Sequence, residues 1–141
     1  HVTISEFALP GISVMEAADN VEYISILLIT PCTFSAAIRH EIFMDRFKKK
    51  IGLEFEAQTG DESFDKKYFI ISKPKEDISH LKSRQVQEKI INLEPFSGLH
   101  FSKGGINLAH VINNSGRLNI RSIEPIIKHL IDLAKFVSKN R

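Results

Sequence analysis

Two carboxylates stand four residues apart in Thr59-Gly60-Asp61-Glu62-Ser63-Phe64-Asp65. At helical spacing Asp61 and Asp65 share one face, and with Thr59 and Gly60 they are the candidate ligand-binding residues of the chain. Such a pair can share a cation or a polar ligand. Joined by a histidine, it can also serve a small hydrolase or transferase, with one carboxyl as acid and the other as base. Calcium asks for more, since it takes about 6–8 oxygen ligands and this loop brings too few. The same residues have a structural reading. Gly60 takes positive φ without steric cost, Asp61 caps a short helix by accepting backbone N–H groups, Phe64 anchors the turn in the core, and Asp65 stays in water with Lys66 and Lys67. That reading, a capped turn with a hydrophobic anchor, is the one favoured.

Other chemistry is mostly missing its residues. The histidines His1, His40, His80, His100, His110 and His129 never fall at i, i+3 or i+4, so no metal site and no cofactor is assigned, and each reads as a surface or half-buried side chain. Cys32, the single cysteine, excludes an internal disulfide and a multi-cysteine zinc site. It reads as a small hydrophobe at the end of a strand rather than as a nucleophile served by His40. Gly104-Gly105 runs into a strand pattern and not into the helix that a phosphate cradle needs, and no dinucleotide, P-loop, zincin or EF-hand motif is present. No catalytic residue is assigned. Lys48, Lys49, Lys50, Lys66 and Lys67, with Lys73 and Lys75, are the candidate basic face, suited to an anionic membrane surface. Asp45, Glu62 and Glu76 interrupt it, which makes it read as a solvated face. A net charge of +2, with no aromatic residues interleaved among these lysines, argues against nucleic acid as a partner.

The elements that position these residues follow from periodicity. At 141 residues, 43% of them apolar, the chain has the size and composition of one globular α+β domain. It begins at His1 with an apolar pattern already running at Val2 and Ile4, as expected of a piece of a longer protein. Val2 to Ser5 and Ile12 to Val14 read as short strands around a Pro10-Gly11 turn. Val21 to Thr30 is apolar at alternate positions on both faces, which predicts a central strand in a sheet covered on both sides. Its run from Ile26 to Ile29 is far too short to span a bilayer. Thr33 to Arg39 alternates weakly, and Glu41 to Ile51 changes to helical period, with lysines in its last turn and Gly52 beyond. Leu53 to Gln58 alternates as a half-buried strand, and Tyr68 to Ile71 is a strand of aromatic and β-branched residues.

Further on, Lys75 to Leu81 predicts a short helix, and Ser83 caps a second helix that reaches Leu93. Leu99 to Ser102, Ile106 to Ile112 and Arg117 to Arg121, separated by glycine-rich turns, predict a three-stranded antiparallel meander. The last element is a helix capped by Ser122, with Pro125 in its first turn and an apolar stripe from Ile123 through Ile126, Ile127, Leu130, Leu133 and Ala134 to Val137. It should lie across a mainly antiparallel sheet.

The pattern T-G-D-x-x-F-D-x-x-aromatic-x-I-x-S over Thr59 to Ser72, followed by a leucine-bearing helix, antiparallel strands and a terminal amphipathic helix, resembles a group of loosely related, uncharacterised bacterial proteins. The resemblance spans residues 40 to 137. Members often place this part after hydrophobic membrane segments, and the group brings no known activity. What it implies is a domain of a membrane-associated bacterial protein. With the absence of catalytic motifs, the expectation is a non-enzymatic module that binds a protein or a small ligand.

Overall fold

The computed structural model describes residues 2–4, 12–16, 23–40, 56–111 and 120–138. Eight strands form one sheet: β1 (Val2–Ile4), β2 (Ile12–Glu16), β3 (Tyr23–Ile29), β4 (Ala36–His40), β5 (Glu56–Ala57), β6 (Tyr68–Ile71), β7 (Phe96–Ser102) and β8 (Gly105–Val111). Among the described residues three helices accompany them, α1 (Glu62–Lys67), α2 (Arg84–Ile91) and α3 (Ile120–Val137), and a 3-10 turn spans Ser79–Lys82. The spatial order is β1-β2-β3-β8-β7-β4-β6-β5, and every pairing is antiparallel. The fold is α+β, as the sequence implied.

Strand alternation decides where the core lies. Ile24, Ile26 and Leu28 of β3 pair in register with His110, Leu108 and Ile106 of β8. Leu108 and Ile106 continue into Leu99 and Phe101 of β7, and these into Ile38 and Ala36 of β4. Apart from the half-buried His110, all are buried. Onto this face α3 lays Ile123, Ile127, Leu130, Leu133, Ala134 and Val137, while α2 adds Val86 and Ile90. Phe64 of α1 joins the same core, its ring 4.7 Å from Tyr68, which stacks at 5.6 Å on Phe96. The apolar stripe of α3 is thus the one its period predicted, with Ile126 at its half-buried margin. At its far end a β-bridge joins Cys32 to Ser138, and Cys32 is 2% exposed.

Several expectations are corrected. β3 is not covered on both sides: Leu27 is 36% and Ile29 61% exposed, because α2 and α3 pack on the opposite face. Phe69 is buried on that second face, so the exposure is concentrated toward β3. β7 and β8 form a hairpin closed by Lys103-Gly104, and the neighbour of β8 on its other side is β3 rather than a third meander strand; residues 117–119 of that expected strand lie outside the described residues. Ile120 and Arg121 are helical rather than the end of a third strand, so α3 starts before Ser122 and Pro125 sits past its first turn. The helix expected over Lys75 to Leu81 is reduced to the 3-10 turn, and α2 ends at Ile91 rather than Leu93. Ser83 does cap α2, accepting from the Val86 N–H. The expected 41–51 helix and residues 53–55 of the following strand lie outside the described residues, as does the Pro10-Gly11 turn.

β7 carries a bulge. Phe96 pairs with His110 but Gly98 pairs with Ala109, so two steps along β7 match one along β8. Without the extra residue, Phe96 and Gly98 would share a face. With it, Phe96 enters the core and Gly98 turns to the outer face.

Candidate functional site

The Thr59 to Asp65 motif closes on itself. Gly60 has φ of 92°, and Asp61 caps α1 by accepting from the Phe64 N–H at 3.2 Å. Asp65 is not solvated as expected: its Oδ1 accepts from the Thr59 N–H and hydroxyl, both at 2.9 Å, and its Oδ2 accepts from the Gly60 N–H at 3.1 Å. The two carboxylates therefore point their acceptors at different parts of one turn instead of converging on a ligand. Asp61 does border a hollow of about 300 Å³ with Lys67, Arg84, Gln87 and Glu88. Among the described residues no three acidic, histidine or cysteine side chains gather in a way that could hold a metal ion.

The lysines of the expected basic face are partly spoken for. Lys66 pairs with Glu62 at 3.1 Å in solvent, and Lys67 pairs with Glu94 at 2.7 Å. Lys48, Lys49 and Lys50 lie outside the described residues. Glu94 is a junction, taking the Tyr68 hydroxyl on Oε2 and approaching His40 Nε2 through Oε1 at 3.6 Å. Burial would push the Glu94 carboxyl up, but the Lys67 ammonium, the Tyr68 hydroxyl and His40 hold it below its ordinary value. Burial and the neighbouring Glu94 push the Tyr68 phenol far up, so it remains a donor. This cluster fastens α1 and β6 to the segment before β7. His80 stacks on Phe34 at 5.8 Å, and His110 lies half-buried on the core face.

A different set of polar residues comes together on the outer face. Register places Ser25, Ala109, Gly98 and Arg39 in one row across β3, β8, β7 and β4, and Leu27, Asn107, His100 and Ala37 in the next. The small residues at the middle of the first row leave a hollow of about 340 Å³, lined by Ser25, Arg39, Ser97, Gly98, His100, Asn107 and Ala109. Gly98 permits Arg39 to lie along the sheet, since a Cβ there would sit 3.1 Å from Arg39 Nη1. Arg39 Nη2 lies 3.2 Å from His100 Nε2, so the guanidinium donates to a neutral imidazole. Burial, and then the Arg39 charge, lower the His100 pKa, and burial lowers that of Arg39 itself. Ser25 Oγ donates to Asn107 Oδ1 at 2.9 Å, which turns the Asn107 NH₂ group into the remaining donor end.

None of these residues was a sequence candidate except His100, which was read as a bland side chain. They come from four strands, and no linear spacing joins them. The one local trace is alternation: Arg39, His100 and Asn107 each follow a buried apolar residue, which marks an outward position without saying what shares it. No protein-family model matches the chain, and no curated protein and no solved structure matches it.

Proposed function

We propose that this domain is a non-enzymatic binding module of a membrane-associated bacterial protein, and that its binding surface is the outer face of the sheet. The hollow between Arg39 and Ser25, beside exposed Leu27, carries the reading: four strands present convergent polar groups next to apolar surface, the usual composition of a recognition site. Support for the membrane association is the Thr59 to Asp65 resemblance. No helix among the described residues is long and apolar enough to cross a membrane. The hydrolase or transferase alternative would need Asp61 and Asp65 facing one ligand, and their hydrogen bonds serve the turn instead.

Two measurements test the reading. A photo-crosslinking residue at Leu27 in the full-length protein should give adducts in cells, and the same residue at exposed Glu124 on α3 should not. Adducts confined to Glu124, or absent at both, overturn the outer-face surface. On fractionation, the full-length protein should remain in the membrane pellet through high-salt and alkaline washes. Recovery in the soluble fraction from the start removes the membrane assignment.

A further inference from the structure

We propose that one end of the sheet is a docking surface for an anionic lipid bilayer. The proposal rests on the membrane association proposed above and names the surface that faces the lipid. Strand register defines that end. β3 leaves the sheet at Ile29, β7 and β8 turn over at Lys103-Gly104, β4 enters at Ala36, and β6 leaves at Ile71 toward Lys73 and Lys75. α3 finishes at the same end, where Ser138 bridges to Cys32. Ile29 and the exit of β6 toward Lys73 are thus four strand spacings apart, roughly 20 Å, with Lys103 on the hairpin between them.

Positive charge and exposed apolar surface coincide there. Lys73, Lys75 and Lys103 are exposed and, among the described residues, pair with no carboxylate. The acidic side chains nearby are engaged: Glu76 accepts from the Ser35 N–H at 3.2 Å, Asp77 from the Ser79 N–H at 3.0 Å, and Asp132 pairs with Lys135 at 3.7 Å. Ile29, 61% exposed, lines a largely apolar hollow of about 470 Å³ between β3 and α3, with Leu28, Ile131, Ala134 and the exposed Lys135. Apolar side chains at such a place can enter the acyl boundary while the ammonium groups stay among the lipid phosphates. A nucleic acid would use the lysines and leave the apolar tip without a partner. Lys66 and Lys67 belong to the other end, since they precede β6, and they are paired with Glu62 and Glu94. Lysines close in sequence are therefore parted by the length of a strand, and Lys103 joins those that remain.

The test is sedimentation of the 141-residue chain with vesicles, either of phosphatidylcholine alone or of equal parts phosphatidylcholine and phosphatidylserine. The chain should bind the mixed vesicles, be released as salt rises, and ignore phosphatidylcholine alone. Lys73→Gln, Lys75→Gln and Lys103→Gln combined should weaken binding about a hundredfold, roughly fivefold for each charge. Lys128→Glu, further back on α3, should change it little. The chain has no tryptophan, so Ile29→Trp supplies a single indole whose emission should move to shorter wavelength on binding. Ile29→Asp should weaken binding severalfold, with thermal melting confirming that each variant is folded. No binding to the mixed vesicles overturns the proposal, and so does equal binding by the folded triple variant or by folded Ile29→Asp. Unmoved emission from bound Ile29→Trp, or binding to a mixed-sequence RNA in place of vesicles, overturns it as well. Full-length protein held in the membrane pellet without vesicle binding by this chain would leave the membrane association standing and remove only this surface. Lysine-dependent vesicle binding by a protein found soluble in cells would keep the surface and remove the standing attachment.

Discussion

Asp65 shows how a residue that looks available for chemistry can be consumed by architecture. Its two oxygens take three donors from Thr59 and Gly60, and Thr59 is nearly buried. Asp65→Ala should therefore lower stability by about 1–3 kcal/mol in a denaturant titration, because it leaves those donors unsatisfied. Asp65→Asn, which keeps one carbonyl oxygen, should lose less. Phe64→Ala should cost about 3–5 kcal/mol by the same measurement, since the ring is 3% exposed and packed on Tyr68. A loss under about 1 kcal/mol would contradict the anchoring role. Part of this was readable in advance: the glycine, the cap and the aromatic anchor are local signals within one turn. The engagement of Asp65 was not, because helical spacing tells which face a carboxylate occupies and not whether the preceding loop folds back over it.

At the level of elements, the hairpin and β3 meet at a close approach. Gly105 pairs with Ile29, and a Cβ at Gly105 would lie 2.7 Å from the Leu28 carbonyl oxygen, a backbone atom that cannot swing aside. Gly105→Ala should cost roughly 1–3 kcal/mol as overpacking, read from the shift in urea midpoint. Gly98→Ala meets only the end of the Arg39 side chain at 3.1 Å and should be milder. The glycines near 98 and 105 announced turns in the sequence, yet both lie within strands. The elements themselves were largely legible: β3, β6 and α3 follow from period and α2 from period and its Ser83 cap, whereas Ser122, the expected cap of α3, lies inside that helix. Strand order was less so. The pairing of β3 with β8 joins residues more than seventy positions apart, and nothing local to Val21–Thr30 distinguishes a strand covered twice from one covered once. Apolar residues on both faces of that stretch predicted burial on both, and Leu27 and Ile29 instead stand at the surface.

For the molecule as a whole, helices on one face and polar residues on the other set its response to acid. Burial lowers the pKa of His100 and of His110, in the first with help from Arg39 and in the second partly offset by the Leu93 backbone. A depressed histidine binds fewer protons folded than unfolded, so stability should decline as pH falls through the ordinary histidine value of 6.5. Glu94 is depressed from 4.5, so its contribution is present above that value and is lost at lower pH, as it protonates in the folded state. Melting temperature against pH should therefore fall in two stages, and Glu94→Gln should shrink the lower one, to which Asp77, also held below its ordinary value by hydrogen bonds from Ser79, contributes as well. A flat profile between about pH 7 and about pH 5 would show that neither histidine is held neutral by the fold.

The bridge between Cys32 and Ser138 gives the protein a built-in clock. The thiol is the only one in the chain, 2% exposed, and burial raises its pKa, so a thiol reagent can meet the reactive thiolate only when the end of α3 lifts from the strand side. The labelling rate of Cys32 under native conditions thus counts those openings without any engineered probe. If ligand binding on the outer face tightens the sheet, the clock on the opposite side should slow.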